Sequence, residues 1–301
     1  MSELILDLTR LLPGPLCTKI LLSMGFRILR LLPPNGDLLE QYSPETFAWL
    51  QTGKQVETLD LKTAMGTERL RDLAQNASVL VENNLPGKME SFGVGPEQLR
   101  SVNPALVYVR IGGYRDHDGE PQPGHDLTYL ADMGLLPMLD PAWRSIPLAD
   151  LCGAFWAAMA VLQGLRMGGG FYEVYLEESC LTAGWPRLEF LDGGRCCYTL
   201  YEASDGKIAL AALEPHLWQR FCLAAGQESW QDKAFSPAKV GNSVYEQMCA
   251  FFRPRNTAQW GAWAAQHHLP LRALASIPKQ SSGPPWRVES AIQQNRGTAN
   301  V

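Results

Sequence analysis

Two residues of this chain have the type and setting for proton-transfer chemistry, His125 and Asp150. His125, one of five histidines in 301 residues, follows Pro123-Gly124 and precedes an apolar-periodic run of Leu127, Leu130, Met133 and Leu136. That pattern places it at the start of a helix. Free N–H groups and the positive end of the helix dipole there favour a neutral imidazole, which is a base. Asp150 stands in the apolar stretch Leu148-Ala149-Asp150-Leu151-Cys152-Gly153-Ala154-Phe155 and precedes a helix-like run from Ala154 to Leu165. A carboxylate in that setting is an N-cap or a buried acid with a perturbed pKa. For either residue alone, a structural role is the commoner explanation. Two matched helix starts in succession give a shared site equal weight, and spacing carries the argument no further.

The elements that must position this pair read as alternating strands and helices. Residues 4–8 form a short apolar strand, Pro13-Gly14-Pro15 turns the chain, and Leu16 to Met24 forms an apolar helix closed by Gly25. Phe26 to Leu32 is a second strand, so the chain opens with a βαβ unit and a parallel sheet. Strands are expected at 58–61, 79–84 and 106–111, with a helix from Thr63 to Ala74. The fold class is α/β, a doubly wound parallel-sheet (Rossmann-like) large domain. Ligands bind such sheets outside the carboxyl ends of the strands. Asn83, Asn84 and Gly112-Gly113 sit at such ends. Met167-Gly168-Gly169-Gly170 reads as a flexible break. Beyond Gly193, an Asp205-Gly206 turn between apolar strands signals a hairpin. Helices are expected around 215–225, 244–253 and 257–266. The divisions are a large domain over 1–185, a small α+β domain over 186–285, and an extended tail over 286–301.

The totals narrow the classes. Apolar residues make up 46% of the chain, ample for a large core, and the net charge of -5 provides no basic footprint for nucleic acid. No apolar run of membrane-spanning length is apparent, and Met1-Ser2-Glu3 lacks a basic leader, so no membrane partner and a cytoplasmic location are expected. Seven cysteines without a C-x-x-C pair indicate reduced thiols. No cluster has metal-ligand spacing, and His267-His268 point apart. Glycine-rich phosphate loops and a Gly-x-Ser-x-Gly elbow are both absent.

Gly124-His125-Asp126-Leu127-Thr128-Tyr129 resembles the Gly-His-Asp-x-x-Tyr motif of α-methylacyl-CoA racemases, within the family III CoA-transferases (CaiB/BaiF). Asp150 falls where that family carries its catalytic aspartate. Asp7-Leu8-Thr9-Arg10 with Pro13-Gly14-Pro15, Leu191-Asp192-Gly193-Gly194, Asp205-Gly206-Lys207 and Leu213-Glu214-Pro215 extend the resemblance over roughly residues 3 to 298. The resemblance implies a racemase or epimerase of 2-methylacyl-CoA thioesters. One of His125 and Asp150 would remove the α-proton and the other return it on the opposite face. N–H groups after His125 and after Asp150 are the expected donors to the thioester oxygen. Glu214 matches a family glutamate that orients the histidine; a first-turn helix acid before Pro215 is the equal alternative. Coenzyme A would enter as part of the substrate, with no tightly bound cofactor. The CoA-binding set implied is Arg30, Lys54, Asn83, Asn84 and Lys88, joined by Asp126 and Tyr129, although core packing explains Tyr129 better. Where the family places arginines, this chain has Leu85 and Ser91.

The segment from Leu165 to Trp185 and the C-terminus are both shorter than the family's. Members pair as interlocked homodimers, and a homodimer is the expected assembly. Two rivals stand beside the racemase: a CoA-transferase in which Asp150 attacks the acyl group and becomes a mixed anhydride, and a degenerate CoA- or partner-binding relative without turnover. The acyl group and the pathway are not readable from these residues.

Overall fold

The structure, a computed structural model, describes residues 3–115, 122–136, 146–184 and 191–274. They fall into two compact units, one within Met1–Trp185 and the other within Pro186–Gln280.

The first unit is a six-stranded sheet of β1 (Leu4–Leu8), β2 (Arg27–Leu32), β3 (Gln55–Thr58), β4 (Val79–Glu82), β5 (Val107–Gly112) and β6 (Gly170–Tyr175) in the order β3-β2-β1-β4-β5-β6. All five pairings are parallel. Alternation along each strand explains why helices cover both faces. Ile5, Val79, Val81, Val107 and Val109 pack one way, into a core shared with the helices Pro13–Ser23 and Leu148–Met167. Leu6, Leu80 and Tyr108 pack the other way, towards the helix Ala64–Asn76, whose N-cap Thr63 accepts from the Gly66 N–H at 3.0 Å. The chain order reverses between β1 and β4, which leaves the crevice where such sheets hold ligands. The doubly wound parallel sheet is therefore as expected.

Three local expectations change. β3 lies three residues earlier than predicted, because as an edge strand it is mostly exposed and carries no apolar run to mark it. The supposed break at Met167–Gly170 is a helix end and the start of β6. Gly168, Gly169 and Gly170 take φ of 80°, 127° and 146°, and a Cβ on Gly169 would stand 2.8 Å from the Pro104 carbonyl oxygen. Finally, the helix bearing Asp150 starts at Leu148 and runs twenty residues. By length and composition it could cross a membrane, contrary to the expectation that no run was long enough. In this unit it is a core helix: Ala149, Gly153, Ala154, Ala157, Ala158, Val161 and Gly164 are buried along it.

The second unit carries an antiparallel sheet of β7 (Tyr198–Glu202), β8 (Lys207–Ala211) and β9 (Leu271–Ala273). The Asp205 turn joins β7 to β8 as predicted, and its carboxylate accepts from the Thr257 N–H at 2.7 Å. Trp218, Phe221, Trp230, Phe252 and Trp260 fill this core. All seven cysteines are free thiols. The extended tail expected over 286–301 lies outside the described residues.

Candidate active site

The loop after β5 and the start of the Leu148–Met167 helix meet at Asp126. His125 is the N-cap of the helix Asp126–Asp132, with extended backbone (φ -139°, ψ 170°). Its N–H donates to the Thr128 hydroxyl at 3.1 Å, and that hydroxyl donates back to the His125 carbonyl at 2.8 Å. The residue is exposed. The next residue turns inward: Asp126 Oδ1 accepts the N–H of Ala149 at 2.7 Å and of Asp150 at 3.1 Å. A contact across 24 residues of chain thus ties the histidine turn to the first turn of the aspartate's helix. Both starts were predicted to lie at helix N-termini, and both do.

Asp150 is half-buried, and among the described residues no cation or hydrogen-bond donor faces its carboxylate. Burial, and after it the nearby Asp126, push its pKa up to about 7. Asp126 itself is raised by burial, against the two N–H groups it accepts. Tyr129 is 4% exposed and packs edge-on to Tyr114 at 4.9 Å between ring centroids. Burial and then the Asp150 charge raise its phenol. Tyr129 is thus a core residue that also feels Asp150. Glu177, which the sequence reading missed, is buried nearby; its Oε1 accepts the Arg115 N–H at 2.5 Å, and its own N–H donates to the Gly113 carbonyl at 3.1 Å.

One expectation about backbone donors is corrected. The N–H groups at the start of the Leu148–Met167 helix are already engaged: Ala149 and Asp150 donate to Asp126, and Leu151 donates to the Pro147 carbonyl at 2.9 Å. They are not available to a thioester oxygen. The N–H groups of Asp126 and Leu127 meet no acceptor among the described residues.

The residues expected to hold CoA divide into two groups. Arg30 and Lys54 are inside the protein. Arg30 Nη1 donates to Asp7 at 2.7 Å and to the Thr9 hydroxyl at 2.9 Å, and its Nη2 donates to Asp37 at 2.8 Å. Lys54 Nζ donates to Asp7 at 3.1 Å, the Pro15 carbonyl at 2.9 Å and the Thr18 hydroxyl at 2.7 Å, so its three donors are all in use. Both side chains are fully buried. In this conformation neither presents a donor to a phosphate. The signal for this network was a lone Asp7 in an apolar strand, because a buried charge requires a buried partner.

The other group surrounds the crevice at the carboxyl ends of β1 and β4. Asn83 holds the backbone of Arg10, accepting its N–H and donating to its carbonyl, each at 2.9 Å. Its amide therefore positions Arg10. Asn84 donates to Glu82 at 3.1 Å and accepts from Arg10 Nη2 at 3.2 Å. Leu11 beside it has φ of 62°, unusual for a leucine, and its N–H donates to Asp37 at 3.0 Å. Arg10, Asn84, Lys88 and Lys62 line a cavity of about 190 Å³ with Asp60 and Phe92. Lys88 Nζ lies 4.7 Å from the Phe92 ring centroid. Arg10 and Lys62 were missed, although strand-end cations in this fold class are the ones to seek.

Glu214 belongs to the second unit. It is the exposed N-cap of the helix Pro215–Ala224, and its carbonyl accepts from Leu217 at 2.9 Å and Trp218 at 3.0 Å. Its carboxylate makes no hydrogen bond among the described residues.

The chain is similar to known proteins in sequence and in fold. The family model for CoA-transferase family III matches residues 4–170 and 182–299; the gap falls within the Leu165–Trp185 stretch that the sequence reading found short. The human α-methylacyl-CoA racemase is 31% identical over 252 residues, which are 75% of this chain and 64% of the racemase. A succinyl-CoA:mesaconate CoA-transferase of Haloarcula hispanica is 30% identical, over 73% of this chain and 65% of that protein. The chain spans about two thirds of the length of these relatives. A crystal structure of a hypothetical protein from Mycobacterium tuberculosis superposes with a TM-score of 0.76 at 25% identity, covering 94% of this chain and 86% of that one.

Proposed function

The chain belongs to CoA-transferase family III, and from that premise we propose that it racemises or epimerises 2-methylacyl-CoA thioesters, with His125 and Asp150 as the two acid/base groups. The observation that carries this reading is the join at Asp126. It bonds the residue after His125 to the backbone of Asp150 itself, while the Asp150 carboxyl is held near pH 7. A group with that pKa accepts and donates protons with similar ease at neutral pH, which a two-base inversion requires of both partners. One partner removes the α-proton, the electron pair moves into the thioester, and the other partner returns a proton to the opposite face. The N–H groups after His125 are the donors left for the enolate oxygen.

For the CoA diphosphate we assign Arg10, Lys62 and Lys88, which line one cavity with Asn84. The substrate is handled by a homodimer in the cytoplasm. A transferase, with Asp150 as the acyl-accepting nucleophile, is the second reading; similarity to the mesaconate CoA-transferase at 30% identity supports it. The test is α-proton exchange in heavy water over a panel of acyl-CoAs. Deuterium entering the α-position of both enantiomers supports the racemase. A trapped covalent Asp150 adduct without exchange replaces it by the transferase, and binding without either outcome leaves a non-catalytic relative.

A further inference from the structure

Asp126 is the joint between the two proposed acid/base groups, and its side chain does more than cap a helix. The helix Leu148–Met167 begins after Pro147, which offers no side-chain acceptor to its free N–H groups. The acceptor comes instead from another element: Asp126 Oδ1 takes the N–H of Ala149 and of Asp150. Asp150 is the third residue of this helix, where the N–H dipoles would ordinarily favour a charged carboxylate. Here those dipoles point at a different carboxylate.

We propose that Asp126 is the positioning residue of the site: it fixes the turn carrying Asp150 to the residue after His125, and its charge keeps the helix's positive end from Asp150. The proposal rests on the acid/base reading given above. An uncharged acceptor would serve the helix equally well, since Asn caps as strongly as Asp. What Asn cannot supply is a second negative charge beside Asp150, and like charges that share a site resist joint ionisation. The raised pKa of Asp150 agrees, with burial the larger cause and Asp126 the second. No other ionised group competes for this role among the described residues. The helix Asp126–Asp132 presents Asp126 and Tyr129. Helix Leu176–Ser179 presents Glu177, engaged with the Arg115 N–H, and the Cys180 thiol follows it. Asp150's own helix adds the Cys152 thiol. The Pro13–Ser23 helix packs on Asp150's helix, but its Cys17 thiol lies beside Asp7 and Lys54, and its Lys19 ammonium donates to the Thr52 carbonyl at 2.7 Å.

The test compares Asp126→Asn with the wild type by two measurements. One is the carbon-13 NMR titration of carboxyl-labelled aspartate, with the Asp150 signal assigned by its loss in Asp150→Asn. The other is the pH profile of α-proton exchange. The expected result is a fall of the Asp150 midpoint by roughly one pH unit, with the exchange limb moving by the same amount and the melting temperature nearly unchanged. An Asp150 midpoint equal to the wild type's overturns the proposal, whatever the exchange assay shows. Absence of exchange in the wild type removes the acid/base reading, and the titration still decides the role of Asp126. Asp126→Ser, another uncharged helix-start acceptor, gives the same titration should the Asn variant not fold.

Discussion

Asp7 and Asp150 are both aspartates withdrawn from water in the same unit, and they end in opposite states. Asp7 lies at 0% exposure in β1. Burial works to raise its pKa, but Arg30 and Lys54 outweigh that, with hydrogen bonds from Thr18 and Thr9 added, and the carboxyl is held well below the ordinary range. Among the described residues no cation faces Asp150, and burial and then the charge of Asp126 both raise it. Burial alone therefore does not say what an acid will do; the partner does. A buried carboxylate with two cations is a fixed charge that joins β1 to β2 and to the Asp37 turn. One without a cation changes protonation near neutral pH, which suits it to chemistry and costs stability.

The comparison breaks most visibly in the reaction. His125→Ala should abolish exchange from the enantiomer whose α-hydrogen faces the imidazole, and Asp150→Ala should do so for the other, each by ~10²–10⁴. A transferase predicts instead that Asp150→Ala removes all turnover and His125→Ala little. Next comes stability. Arg30→Met leaves Asp7 and Asp37 without their shared cation in a dry site and should cost roughly 3–5 kcal/mol, read by urea denaturation. Asp150→Asn should do the reverse and stabilise the fold by on the order of 2 kcal/mol at pH 8, because it removes a buried charge that has no partner.

The pH dependence sharpens the same contrast. The folded pKa of Asp150, about 7, exceeds its ordinary 3.8, so the folded chain holds a proton that the unfolded chain has lost between those values. Its contribution to stability therefore falls as pH rises through that window, and the advantage of Asp150→Asn should grow across it. For Asp7 the folded pKa is depressed. Its contribution is complete above the ordinary value and lost as pH falls below it, so Asp7→Asn should be most harmful at neutral pH and converge on the wild type in acid. Melting temperatures across pH 3–8, a range of about five units, check both signs. The smallest effect concerns CoA. Lys88→Ala should weaken CoA binding about fivefold at low salt and less at high salt, as an exposed cation does. Arg30→Lys, if it folds, should leave CoA affinity within about twofold, since Arg30 is engaged internally. A large affinity loss there would return Arg30 to the ligand.

Much of this was legible in the residues. Apolar strands separated by helices gave the parallel sheet because a strand buried on both faces must be largely apolar, as β1, β4 and β5 are apart from the single charges Asp7, Glu82 and Arg110. The Asp205 hairpin and the helix starts at His125 and Asp150 follow from local backbone preference, which acts over a few residues and is written in them. The misplaced β3 and the unseen β6 and β9 are edge strands, where one-sided pairing leaves a weak pattern.

The order β3-β2-β1-β4-β5-β6 and the pairings of charge were set in three dimensions. Arg30 and Lys54 read as ligand-binding cations because a sequence lists charges without their distances. Only folding brought Asp7 and Asp37 within 3.1 Å of them. The same holds for Asp126, whose neighbours in sequence are His125 and Leu127 but whose hydrogen bonds reach Ala149 and Asp150. The sequence by itself determined the residue types and the helix starts, because these depend on local backbone and burial preferences. The tertiary structure decided which acid met a cation and which met another acid, because electrostatic interaction depends on distance and on the water excluded between the groups.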